Sequence, residues 1–401
     1  MSDPQKKIRS KIGNPVGGDD FWPRPDVVDP LFDALVNDKG SRRLFGLRRI
    51  GKTSVVLELE RRLRARADLT VIQIDVQGVS RFKDFLNKLF EQIPAETRLQ
   101  QTKKSIATNA ALQSFLPALA TRLTGSAATQ AQSTFHNEFE HKAVWAGDIE
   151  AALEEAGPIV LIIDELPFML RNMMRDGYKP FDAERFLATL RSWRMNSGVR
   201  MLLSGSIGLA QLERLDGVAV ADHIGDLYPV SLPPLSRAQA IELVEALALG
   251  EEVDDWTTAL SEAIVDASAE LWPIFLQYGF NDVLRSRERD PSKVKAIVEA
   301  QVRQALDENF YTQFSTRLSR YGNDEKSVRA ILKTVVAADP EPVTFAAIDE
   351  ALAKLNAGER RDDLLEALRE DDFMSFDTES QTLRAASKLV PLWVRARAWG
   401  R

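Results

Sequence analysis

Apolar and polar positions along the first half of the chain change period repeatedly, between the pattern of a strand and that of a helix. Residues 42–46 read as a short strand that ends at a glycine. Residues 52–67 read as a helix, with Val55, Val56, Leu57, Leu59 and Leu63 set among charges. Residues 69–76 have the β-branched alternation of a second strand, and residues 82–93 form an amphipathic helix stopped by Pro94. A helix is expected over 137–155. Residues 158–164 are a continuous apolar run ending in acids, the pattern of a strand buried on both faces. A helix over 182–195, a buried strand over 199–204 and a weaker fifth strand over 226–232 follow. Strands alternating with helices predict a parallel α/β sheet.

The character changes after Pro233-Pro234. Residues 236–319 read as almost purely helical, with turns near Gly250 and Pro291. Helices over 326–338, 345–355 and 361–369, then two short strands around Asp377-Thr378-Glu379-Ser380, outline a winged helix. The Gly/Pro-rich first two dozen residues read as a lead-in that wraps rather than packs. No acidic residue occurs between Glu96 and Glu138, a stretch rich in Ala, Thr, Gln and Ser that reads as an insertion. The expected division is a lead-in over 1–40, an α/β core over 41–235 with an insertion at about 97–136, a helical domain over 236–322, and a winged helix with a basic terminal helix over 323–401.

Composition narrows the function classes. The 401 residues are 44% hydrophobic and 28% charged, enough apolar material for a core. The net charge of -7 makes the whole molecule a poor polyanion binder, so any nucleic-acid surface has to be a local patch. The sequence has no cysteine, which excludes disulfides and thiolate metal sites. The polar start lacks the apolar stretch of a signal peptide, and no apolar run approaches the ~18 residues of a membrane helix. A cytoplasmic protein with no membrane contact is expected.

Two motifs carry chemistry. Gly46-Leu47-Arg48-Arg49-Ile50-Gly51-Lys52-Thr53 matches G-x-x-x-x-G-K-[ST], between an apolar strand and a helix. Its glycines let successive backbone N–H groups face a phosphate, Lys52 supplies the cation, Thr53 offers a hydroxyl to Mg²⁺, and the helix N-terminus favours the anion. Ile159-Val160-Leu161-Ile162-Ile163-Asp164-Glu165 is the partner. Asp164 is expected to hold Mg²⁺ and Glu165 to orient or deprotonate the attacking water. An adjacent glutamate points to the catalytic-glutamate branch of P-loop proteins rather than the kinase–GTPase branch.

With these motifs, residues of about 13–400 resemble the archaeal-type ATPase family, within the STAND and origin-recognition-related AAA+-like P-loop NTPases. The double-arginine loop continuing into Ser54 is the most specific signal. Asp20-Phe21-Trp22-Pro23-Arg24 is similar to the family's box upstream of the loop, with Pro23 and Pro25 standing where the family has glycine and glutamate. Ser204-Gly205-Ser206 follows the fourth strand where the family has its polar sensor. Leu232-Pro233-Pro234-Leu235-Ser236 resembles the link into a helical lid, and Trp272-Pro273-Ile274-Phe275 stands where relatives have Gly-x-Pro. The resemblance implies ATP as the nucleotide, contacts from Arg24, Ser204 and Pro273, and a switch that closes on ATP and opens after hydrolysis.

Hydrolysis also calls for a cation at the γ-phosphate. Arg48 and Arg49 in the loop and Arg191, Arg194 and Arg200 near the sensor strand are candidates, Arg49 foremost. His136, His141 and His223 read as scattered surface residues, and Mg²⁺ is the only metal expected. The winged helix is acidic: Asp362, Asp363, Glu366 and Glu370 stand against Arg360, Arg361 and Arg369 in its third helix. A recognition helix facing phosphates should be basic. The sequence thus favours an ATP-driven switch acting through a protein partner or its own copies, over a DNA-binding initiator or loader. The last residues carry Arg384, Lys388, Arg395, Arg397 and Arg401 interleaved with Leu389, Leu392, Trp393 and Val394, as in a docked terminal helix.

Overall fold

In the computed structural model, residues 6–92, 153, 158–206, 212, 217–377 and 379–397 are described. The insertion, most of the helix expected over 137–155, His136 and His141 lie outside them. The lead-in both wraps and packs, contrary to the sequence expectation. Ile8, Phe21 and Trp22 are buried, and the Ile8 N–H donates to Ala246 O at 3.1 Å. Its few apolar residues fall where the chain crosses the molecule, and that spacing has no regular period.

Residues Pro25–Val36 form helix α1, an element absent from the sequence expectation, which buries Val27, Val28, Leu31 and Leu35 on one face. Strand β1 (Arg42–Phe45) leads through Gly46 into the phosphate-loop motif, and helix α2 (Lys52–Arg64) follows. Arg61, Arg62 and Arg64 close α2, where cations meet the negative end of the helix dipole. Then come β2 (Thr70–Asp75), α3 (Phe82–Glu91) and β3 (Ile159–Asp164), every residue of which is buried. Helix α4 (Leu166–Arg175), also unforeseen, is followed by α5 (Pro180–Asn196), β4 (Arg200–Gly205), the short α6 (Ala221–Ile224) and β5 (Tyr228–Val230).

The five strands form a parallel sheet in the order β2-β3-β4-β1-β5. Val160 to Ile163 pair with Arg200 to Leu203, and Arg42 to Phe45 pair with Leu202 to Gly205. The strand between the two motif strands is therefore β4. A continuous apolar strand buried on both faces, as read from the sequence, is what a central parallel strand requires.

A helical stretch follows: α7 (Arg237–Gly250), α8 (Thr258–Ala267), α9 (Pro273–Ser286), α10 (Pro291–Ala305) and, through a π-helical segment at Leu306–Phe310, α11 (Tyr311–Ser319). Ser236 caps α7 by accepting from the Gln239 N–H, and Gln239 returns the bond to the Ser236 N–H. The C-terminal elements run α12 (Glu325–Ala338), β6 (Val343–Thr344), α13 (Phe345–Ala353), α14 (Arg361–Glu370), β7 (Met374–Asp377), β8 (Thr382–Ala385) and α15 (Leu389–Ala396). Their small antiparallel sheet has the order β6-β8-β7. Helix, strand, two helices and a strand pair is the winged-helix order.

These parts share one apolar cluster, from Ile8, Val28 and Leu44 through Leu243 and Phe275 to Phe314, Phe373 and Trp393. Trp393 of α15 lies 5.3 Å from the Phe314 ring and 5.7 Å from the Phe373 ring, so it locks the terminal helix to both α11 and the winged helix. Trp393→Ala should lower the unfolding free energy by about 3–5 kcal/mol, the usual cost of truncating a fully buried aromatic. Denaturant unfolding of the full chain checks it.

Candidate nucleotide site

The phosphate-loop motif bridges β1 and α2. Leu47 and Ile50 are buried and anchor the loop to the core. Gly51 has φ 106, a left-handed conformation that glycine adopts without strain, and Arg49 has φ 71. The turn ends on the first residues of α2, whose leading N–H groups have no partner within the helix. Lys52 is 6% exposed, and its ammonium donates to Gly46 O at 3.2 Å and Leu47 O at 2.5 Å. Burial lowers its pKa to about 8, against the pull of the Glu165, Asp372 and Asp164 carboxylates.

The acids stand at the C-terminal end of β3. Asp164 is 3% exposed; its Oδ2 accepts from Thr53 Oγ1 at 3.2 Å, and its Oδ1 accepts from Ser204 Oγ at 2.5 Å and from the Glu165 N–H at 3.0 Å. Glu165 adopts φ 60, turning its side chain out of the strand as α4 begins. Its Oε2 accepts from both the N–H of Ser206, at 3.0 Å, and the Ser206 hydroxyl, at 3.1 Å. Burial raises the Glu165 pKa, while the Ser206 N–H and the Lys52 charge oppose that rise.

One cavity joins these groups. Residues Arg48 to Val55, Glu165 and Ser206 line its floor, and lead-in residues including Ile8, Val16, Trp22 and Arg24 line one wall. Leu232 from the link after β5, with Leu243, Pro273 and Ile274 from the helical stretch, completes the other wall. The cavity thus has a polar, cationic end and an apolar end. The lead-in is fixed against the loop by the Val16 N–H, which donates to Ser54 Oγ at 3.0 Å.

Most sequence-predicted residues meet here, with five departures. Ser204 is fully buried behind Asp164, so it supports the carboxylate and cannot touch a nucleotide; Ser206, two residues on, faces the cavity. Gly46 and Leu47 stand outside the lining and act through their carbonyls on Lys52. The two loop arginines part: Arg49 donates to Tyr278 Oη at 3.2 Å on α9, while Arg48 donates to Ser206 Oγ at 3.1 Å and lies over the Phe168 ring. Arg48, not Arg49, is the arginine next to Glu165. Arg191, Arg194 and Arg200 serve the other end of the sheet. Arg200 opens β4 and donates to Leu35 O, roughly 16 Å along the strand from the sensor end. Arg194 holds Asp226 at 2.7 Å and the His223 carbonyl at 2.7 Å, and Arg191 donates to Asp222 O. Within one chain none of the three reaches the cavity. Arg24 lines the cavity but spends its guanidinium on Asp26 and on Pro233 O, at 2.7 Å. That bond ties the lead-in to the Pro233-Pro234 link.

Sequence reasoning missed Arg317 and the Asp371-Asp372 pair. Arg317 of α11 donates to Ser206 O at 3.1 Å, to Asp372 Oδ2 at 3.2 Å and to Asp371 O. No motif or period marks them, because the contact joins positions far apart in sequence. Among the described residues, no group of three or more His, Cys, Asp or Glu could hold a metal by itself.

Comparison with known proteins agrees with this geometry. Residues 36–213 match the family model described as an AAA domain. No curated protein matches the chain. Among solved structures, a Walker-type ATPase of Pyrococcus abyssi is similar, with a TM-score of 0.54 at 17% identity, over 97% of this chain and 98% of that one. The ORC2 protein of Aeropyrum pernix in its ADP form gives a TM-score of 0.47 at 13% identity, over 97% of each chain. At 17% identity the first likeness is one of fold, and it extends beyond the matched domain into the helical and winged-helix parts. Residues 36–213 thus match an AAA-type ATPase domain, and the cavity lies at the strand ends of its sheet.

Proposed function

We propose that the chain is a Mg-ATP-driven switch in which Lys52, Asp164 and Glu165 bind and hydrolyse ATP, and the helical and winged-helix parts move with the nucleotide state. The observation that carries this reading is one cluster: Lys52, Thr53 and Glu165 line a single cavity, and the Thr53 hydroxyl lies 3.2 Å from the buried Asp164 carboxylate beside it. In this reading Lys52 holds the β- and γ-phosphate oxygens, and the N–H groups at the start of α2 cradle the rest. The Thr53 hydroxyl and Asp164 suit a magnesium ion, which keeps most of its shell in water and phosphate and needs only one or two protein oxygens. Bound there, the ion neutralises phosphate charge. Glu165 accepts the proton of the attacking water. The Arg48 guanidinium is the near cation on that side.

The apolar wall supports the switch. Pro273, Ile274 and Leu243 belong to the helical stretch, so a purine in the cavity touches helices and core together. Arg49 to Tyr278 and Arg24 to Pro233 bridge the same boundary. Ligand contacts made in only one arrangement bias the equilibrium toward it.

The acidic winged helix favours a protein partner, or copies of the chain itself, over duplex DNA. The outward face of α14 carries Asp362, Asp363 and Glu366 beside Arg369. Arg360, Arg361 and Arg369 are each engaged by acids, with Asp324, Asp349 and Glu366 respectively. Such a face repels a phosphate backbone.

Three outcomes are expected. Lys52→Ala should weaken ATP binding roughly thirtyfold or more, as removal of a buried charge partner costs about 2–5 kcal/mol, read by titration of a fluorescent ATP analogue. Glu165→Gln should bind ATP normally and hydrolyse it slower by a factor on the order of 10²–10⁴, the contribution of a general base; normal turnover in this variant would remove Glu165 from that role. Steady-state turnover should be indifferent to added duplex DNA, and several-fold stimulation would favour the initiator-like alternative.

A further inference from the structure

The loop that holds Glu165 is itself held from the winged helix. Helix α14 ends at Glu370, and the next two residues are Asp371 and Asp372. Carboxylates at the negative end of a helix dipole are unfavourable by themselves. Here a cation from another element compensates. Arg317, 4% exposed, donates to the Asp371 carbonyl and to Asp372 Oδ2 at 3.2 Å. Asp371, 1% exposed, accepts from Tyr321 Oη at 2.8 Å. Both of those Arg317 bonds come from its Nη1; its Nη2 donates to Ser206 O at 3.1 Å, and the N–H and hydroxyl of that same Ser206 hold Glu165 Oε2. Asp372 also reaches the phosphate loop: a Cβ on Gly46 would meet its Oδ2 at 3.6 Å.

We infer that Arg317 is a positioning residue for hydrolysis: fixed by Asp372 of the winged helix, it sets the Ser206 peptide and so the aim of Glu165. A docked winged helix is then part of the hydrolytic site, not a brake on it. The form of the contact supports a brace. A guanidinium with three hydrogen bonds and almost no solvent contact is held in one orientation, and its planar fork suits two acceptors on one side and a carbonyl on the other. Leaving such a charge without its partner is costly, so the pair holds its geometry rather than exchanging partners. Ser206 has its carbonyl on Arg317 and both donors on Glu165, so a rotation of its peptide moves the carboxylate directly. The phosphate-binding side, Lys52 and the start of α2, needs none of this.

This rests on the reading of Glu165 as the water-activating group, and the test separates the two. Arg317→Ala, Arg317→Lys and Asp372→Asn are made in the full chain beside Glu165→Gln. For each, kcat and KM for ATP, the affinity for a fluorescent ATP analogue and the melting temperature are measured. Arg317→Ala should lower kcat ten- to a hundredfold, the order of effect of a small misplacement of a catalytic group, with nucleotide affinity within about twofold. Arg317→Lys should recover part of that loss by restoring a cation. Asp372→Asn, which is isosteric and keeps a hydrogen-bond acceptor, should lower kcat several-fold at unchanged affinity. Asp372→Asn combined with Arg317→Ala should be no slower than Arg317→Ala alone, because both act along one path. If Arg317→Ala does not fold, Arg317→Lys and Asp372→Asn decide. Unchanged kcat in the variants that fold overturns the inference. So does a raised kcat, which makes the winged helix a brake, and so does affinity falling in parallel with kcat. If Glu165→Gln keeps normal turnover, the reading of Glu165 fails instead, whatever the Arg317 variants do.

Discussion

The site depends on β4 pairing in parallel with β1 on one side and β3 on the other. Thr53 and Asp164 are 111 residues apart in sequence, yet their oxygens lie 3.2 Å apart. The pairing of Leu202 and Leu203 with both neighbours fixes where the strands end, and their ends deliver the phosphate loop and the acids to one edge. β4 also provides the support between them: Ser204 bonds Asp164 from behind and Ser206 bonds Glu165 from the front. Ser206 lies one residue past the end of β4, where the strand period no longer holds it on the face of Ser204, and Gly205 between them leaves room where a Cβ would collide with Pro167 at 2.7 Å.

The second constraint is charge in a place with little water. Lys52 and Asp164 are nearly buried and Glu165 lines the cavity. Burial lowers the Lys52 pKa and raises that of Glu165, while the attraction between these two charges resists both shifts. Lys52 shares its ammonium between two loop carbonyls. A polyphosphate replaces weak dipoles with full negative charge in a site where water screens little. Binding strength and conformational consequence then have one source, since the same anion also meets N–H groups belonging to the loop.

Much of this was legible in the sequence, and the reasons are physical. The strands announced themselves because the middle of a central parallel strand must be apolar, and residues 159–163 and 201–203 are. The phosphate loop was legible because Gly51 must take a positive φ and Lys52 must follow it. The double arginine was visible, but the roles of its members were not: Arg48 and Arg49 are neighbours in sequence, and the reversed φ of Arg49 sends their side chains to different partners. Ser204 and Ser206 could not be told apart because an i, i+2 pair shares one face of a strand, and the sequence does not show that β4 ends at Gly205. Helix α1 has a buried stripe at Val27, Val28, Leu31 and Leu35, but Pro25 and the internal Pro30 resemble breakers. The lead-in looked unpacked because three widely spaced residues, Ile8, Phe21 and Trp22, make no period.

The contacts that no sequence pattern announces are those between parts of the molecule, and they share a form. Arg24 to Pro233 O, Arg49 to Tyr278, Arg317 to Ser206 O and to Asp372, and the Lys388 N–H to the buried Glu270 all bridge elements that are distant in sequence. Each ends at or beside the nucleotide cavity or on the segment leading into it, apart from Glu270, which precedes Trp272 and Pro273 by two and three residues. Apolar packing along the shared cluster could hold the parts together without any of them, but apolar packing is indifferent to small rotations. Directional bonds from planar guanidinium groups are not, because an error of a few tens of degrees loses them. Arginines at the seams therefore fix the orientation of the helical and winged-helix parts relative to the loop and Ser206, which is the property the proposed nucleotide-controlled switch requires.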